Sequence, residues 1–151
     1  MTTDPAAARP MPATCAPDGS ALTDPLVLAM GVLLVTDLAG GAVAARSGLN
    51  TWGQAWGSQA RLAAPVPMIA AQLLLTTLTV RMGGRGAAIA AALLAAACLL
   101  SVVSGFFDGG LSDPALTTGT RALQLLLLSA TTVVGALAAV RARRRWRWAR
   151  G

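Results

Sequence analysis

One carboxyl stands inside the apolar part of this chain. Asp37 is the only charged side chain within four apolar runs, residues 26–45, 62–80, 87–107 and 122–140. An ionisable group inside a membrane span costs ~2.5–3.5 kcal/mol on insertion scales, and by default it marks a site. Gly40, Gly41 and Ala44 share its helical face, so that face is expected to pack inward. Counted along the run, Asp37 lies ~12 Å below the outer end. Gln72 in the second run, Ser101 and Ser104 in the third, and Arg121 and Gln124 at the start of the fourth fall in the same half. These six are expected to line one intramembrane polar pocket open to the outer face. Two chemistries are open for it. A carboxyl that meets water can take up and release a proton or a cationic solute. A carboxyl satisfied by a neighbour only holds the helices together, as single Gln, Ser and Thr groups do at ~0.6 kcal/mol each. Arg121 is one partner within reach of Asp37, with Asp108 and Asp113 as rivals for its guanidinium.

Other chemistries lack their residues. The chain has no His, which removes most general-base and zinc arrangements. Its two cysteines are Cys15, in a polar Pro-rich stretch, and Cys98, in an apolar run. They are not expected to share a depth, and no CxxC pair exists for thiol exchange. The glycines of residues 83–86 lack the Lys and preceding strand of a phosphate loop. No cofactor, no metal and no enzymatic activity are expected. The net charge of +6 comes from 12 Arg and six Asp. Six of those Arg lie in residues 141–151, directly after an apolar run. That placement fits a flank facing anionic lipid, and no nucleic-acid motif accompanies it.

The elements that must position these groups are long apolar helices. Hydrophobic residues make up 55% of the 151 and charged residues 12%, against about 25% charged in soluble domains. A soluble fold of this size leaves too much surface in water to hide so apolar a chain. The four runs, of 20, 19, 21 and 19 residues, each match the ~20 needed to cross a bilayer. The expected fold is an all-α polytopic membrane protein with four transmembrane helices in an antiparallel bundle. Residues 1–24 read as a disordered tail, 25–140 as the membrane domain and 141–151 as a basic tail. Thr23-Asp24-Pro25 is a helix start, a capping residue before Pro at the first helical position. Residues 81–86 form a turn that makes helices two and three neighbours. Asn50 could cap a short interfacial helix carrying Trp52 and Trp56 on one face, or the two indoles could anchor a plain loop. The Ala-rich third helix is the candidate central helix, and the fourth carries a small-residue stripe at Thr131, Gly135 and Ala139.

Orientation follows from Arg counts. With both termini inside, nine Arg face the cytoplasm and three the outside, as the positive-inside rule favours. The expected location is therefore the plasma membrane with both termini cytoplasmic. Arg141, Arg143, Arg144, Arg145 and Arg147 would contact anionic headgroups. Trp52, Trp56, Trp146 and Trp148 would be interface anchors. A further copy of the chain or another membrane protein is the expected protein partner, and no nucleic acid.

Two resemblances add to this reading. Four short helices with one acid in the first resemble the small multidrug transporters, and Asp37 would then couple protons to export. That family uses Glu and is rich in aromatic residues, whereas this chain has no Glu and no Tyr. The Ala/Leu/Arg composition, the helix exit Gly105-Phe106-Phe107-Asp108-Gly109 and the basic tail resemble uncharacterised four-helix membrane proteins of actinobacteria, which imply no activity.

Overall fold

A computed structural model of the chain describes residues 23–48, 50–54, 56–57, 63–107 and 117–148. It is all-helical: α1 Pro25–Arg46, α2 Val66–Arg81, α3 Gly84–Phe107 and α4 Thr118–Trp148, with no strand among the described residues. Helices α1, α3 and α4 are long and apolar enough to cross a membrane, and α2 is a shorter apolar helix of 16 residues. Of the expected disordered tail 1–24, residues 1–22 lie outside the described residues, as do 49, 55, 58–62, 108–116 and 149–151, whereas Thr23 and Asp24 are described and lead into α1.

Local chemistry sets the helix ends. Asp24 caps α1, its Oδ1 accepting the Leu26 amide at 3.0 Å, with Pro25 at the first helical position. At the other end Gly48 takes a left-handed conformation, φ +74, one residue past the cap Ser47. The α2–α3 connection is shorter than the turn over 81–86. Only Met82 and Gly83 lie between the helices, and Gly84 makes the reversal at φ +60. Thr117 receives the Thr120 amide on its hydroxyl (3.3 Å) and the Arg121 amide on its carbonyl (3.0 Å), so α4 begins before residue 122. At its far end α4 runs through the basic stretch to Trp148. The expected basic tail is thus helix for its described length, because Arg is a good helix former and favourable near a helix C-terminus.

The largest departure is at α2. The apolar run begins at residue 62, but Ala63 and Ala64 are not helical and the helix starts at Val66. Pro65 and Pro67 are the reason. A residue before proline is pushed out of the α region, and proline offers no amide to a preceding turn. Sixteen residues rise only ~24 Å, so α2 is shorter than its neighbours. Residues of the α1–α2 connection take the place of its missing first turns.

Helix α3 packs most extensively on α4, α1 packs on α4, and α2 on α3. Helices α1 and α2 touch lightly. The Ala-rich α3 is accordingly half of the tightest pair and is not alone at the centre. A β-carbon on Gly135 would lie 2.9 Å from Cys98 Cβ, and one on Gly105 2.9 Å from Leu128 Cδ2. The two contacts are seven residues apart on each helix, which fixes one antiparallel register. Ala87, Ala88, Ala90 and Ala91 are buried on α3. The buried stripe of α4 is Ala130, Thr131, Val134 and Ala138, whereas Ala139, expected in it, is exposed. Leu26, Met30, Leu33, Leu94 and Cys98 complete the core. Lipid gives no hydrophobic drive between helices, so such close approach at small residues is what holds the pair.

Candidate functional site

Asp37 is 1% exposed, on the inward face of α1 with Leu33, Gly40, Gly41 and Ala44. Its Oδ1 accepts the backbone N–H of Ala64 at 3.0 Å. Ala64 belongs to the non-helical approach to α2, yet it meets α1 nine residues before that helix ends. The connection therefore descends ~14 Å along α1. Non-helical backbone at membrane depth is tolerated only where it is buried in protein and its polar groups are satisfied. Asp37 supplies an acceptor for one such amide. Its second oxygen, Oδ2, is buried without a hydrogen-bond partner.

Above Asp37 the described residues of the connection pack on α1. Trp56 is half-buried, and a β-carbon on Gly41 would lie 2.6 Å from its ring. The Val66 amide donates to the Trp56 carbonyl at 3.2 Å, and the Asn50 amide to the Ala44 carbonyl at 3.2 Å. Thr51 and Gln54 exchange side-chain and backbone bonds, Thr51 N to Gln54 Oε1 at 3.1 Å and Gln54 N to Thr51 Oγ1 at 3.3 Å. That is a capping box, and among the described residues after it, 52–54 and 56–57, there are turns and a bend and no helix. Of the two expected anchors, Trp52 is 61% exposed, whereas Trp56 is turned inward onto α1. Trp56 is thus a packing residue of the connection. Spacing alone could not separate the two indoles. Gly41, one turn beyond Asp37, was the available signal, since only a side chain lacking Cβ admits a ring there.

The other expected pocket residues divide. Gln72 and Gln124 are buried. Ser101 is half-buried and its hydroxyl meets Met68 Sδ at 3.8 Å. Ser104 and Arg121 are exposed. The six thus differ in enclosure: Asp37, Gln72 and Gln124 are buried, Ser101 is half-buried, and Ser104 and Arg121 are exposed. Thr76 and Thr79 are buried on α2 with hydroxyls lacking hydrogen-bond partners, and Gln124 Oε1 is likewise buried without one. Thr36 and Thr131 return their hydroxyls to their own helices, at 2.8 Å to the carbonyls of Val32 and Leu127. Among the described residues, no three His, Cys, Asp or Glu side chains are grouped as metal ligands.

The second charged region is the end of α4. Arg141 pairs with Asp24 Oδ2. The guanidinium is engaged by the cap of α1. Arg143, Arg144 and Arg147 are exposed and Arg145 is half-buried. Arg143, Arg144 and Arg147 line an open groove of about 850 Å³ together with Trp146. Val140, Ala142 and, from α3, Ala92 form its apolar part. Trp148 is 87% exposed beyond it. Arg81 and Arg85, flanking the α2–α3 turn, are exposed at this same end of the bundle. No protein family, curated protein or solved structure matches the chain.

Proposed function

We propose that this chain is a non-enzymatic membrane subunit, a helical scaffold or accessory chain for another membrane protein or a further copy of itself. Both termini face the cytoplasm, and the membrane is the plasma membrane. The observation that carries the reading is the bond from the Ala64 amide to Asp37. It gives the one carboxyl of the spans a structural task, holding a buried non-helical connection against α1. The Arg distribution supports the orientation, with Arg81, Arg85 and the Arg-rich end of α4 gathered at one end of the bundle. Infrared difference spectroscopy of the purified protein, with Asp37→Asn as control, tests the role. A carboxyl band indifferent to added cations and to pH in the near-neutral range is expected. Orientation is read separately from Cys15, because Cys98 is buried. Membrane-impermeant thiol reagents should modify Cys15 only after lysis.

A second reading has its own observation. Asp37 Oδ2 is buried and without a partner, as a proton- or cation-binding carboxyl would be before loading. Under it the chain is a small transporter of protons or a cationic solute. A carboxyl band that titrates and responds to a cation would favour this reading over the scaffold.

A further inference from the structure

We infer that the groove beside the end of α4 is a binding site for one anionic phospholipid, its phosphate held by Arg143, Arg144 and Arg147. This deepens the proposed reading, since it rests on that end of α4 lying at the cytoplasmic leaflet.

Three features of the groove point to this ligand. The first is charge. Arg143, Arg144 and Arg147 stand on one helical face with Val140, at spacings of three and four. Guanidinium groups offer forked donors that match phosphate oxygens. Arg141, one turn before Arg144 and Arg145, is partnered by Asp24, and among the described residues no carboxylate lines the groove. The described lining is thus cationic.

The second is the apolar part. Val140, on the basic face, and Ala92 of α3 extend the groove toward the spans. A headgroup at the Arg residues would leave its acyl chains along this surface. Free phosphate would gain nothing from it, and neither would a soluble polyanion. The third is size and edge. About 850 Å³ lies in the range of small-molecule sites, ~300–1,000 Å³. Trp146 borders the groove, as indoles do at the headgroup level. Basic pockets between transmembrane helices are a known way to hold anionic headgroups.

The test uses the full chain purified in a mild neutral detergent. Phosphatidylglycerol and phosphatidylcholine of equal chain length are titrated and bound lipid is counted by native mass spectrometry. Wild type should retain one phosphatidylglycerol and no phosphatidylcholine. Arg143→Gln/Arg147→Gln should weaken it about thirtyfold. Arg81→Gln/Arg85→Gln removes equal charge from the same end of the bundle and should change it less than threefold. Ala92→Trp, which fills the groove at unchanged charge, should also abolish retention. Glycerol phosphate at equal concentration should not displace the lipid. Equal loss in both Arg pairs, or equal retention of the two lipids, would overturn the site in favour of diffuse attraction. Displacement by glycerol phosphate would overturn it in favour of a phosphate site. Detergent has no sides, so a Cys15 result that reverses the orientation removes the leaflet placement without touching this measurement.

Discussion

Arg141 on α4 is ion-paired with Asp24, the residue that caps α1. Asp24 thus serves two helices, one oxygen closing the first turn of α1 and the other meeting the guanidinium. The pair aligns the start of α1 with the basic end of α4. Counting inward from it at equal rise on the two antiparallel helices brings Asp37 level with Leu128, and Leu128 is where Gly105 of α3 crosses α4. The irregular connection therefore meets α1 at the level of the α3–α4 contact.

Asp24→Ala removes the cap and the ion pair together. It should cost about 1–2 kcal/mol in thermal unfolding in detergent, mostly from the cap. Arg141→Gln leaves the cap and should cost less than about 1 kcal/mol, because the pair is partly exposed. An equal or larger loss for Arg141→Gln would show that the tie between helices matters more than the cap.

At Asp37 the backbone acceptor is the point. Asp37→Asn keeps an oxygen for the Ala64 amide and should unfold within about 1 kcal/mol of wild type. Asp37→Leu strands that amide where no water reaches, at a cost of ~1–3 kcal/mol despite a more apolar α1. Hydrogen exchange at the Ala64 amide gives the second measurement, fast in the Leu variant and slow in the Asn variant. Identical protection in both would remove the hydrogen bond from the account.

Gly41→Ala places a methyl 2.6 Å from the Trp56 ring. The indole must move, and overpacking of this kind costs ~1–3 kcal/mol. With Trp52, Trp146 and Trp148 replaced by Phe, the remaining emission should shift to the red in Gly41→Ala. Trp56→Leu in the same background should recover the stability. A Gly41→Ala protein with unchanged emission would place Trp56 elsewhere.

The α3–α4 register is tested at Gly135. Gly135→Ala sets two β-carbons 2.9 Å apart, with Cys98 as the neighbour. It should destabilise the protein by ~1–3 kcal/mol. Cys98→Gly should return part of that loss in the double variant although it is itself destabilising. Additive losses in the double-mutant cycle would contradict the contact.

What the order of residues decided by itself is the set of helices. Runs free of charge except for Asp37 have no stable home in water, and in lipid their backbone must close on itself as helix. The Asp24-Pro25 start, the glycine turn into α3 and the bunching of Arg in residues 141–147 are equally local. Each acts through its own chain neighbours, so each is legible in one dimension. The tertiary structure decided the partners. That Asp37 turns to the Ala64 amide depends on Pro65 and Pro67 shortening α2, and on Gly41 admitting Trp56 so that the connection can enter the bundle. No spacing rule joins residues 27 apart on different elements. Likewise the polarity of Ser104 and Arg121 said nothing of the side they would face, and rotation of α4 by one residue exchanged Ala139 for Ala138 in the core. Small residues all round a helix leave its rotation undetermined until a neighbouring helix selects the side that allows closest approach.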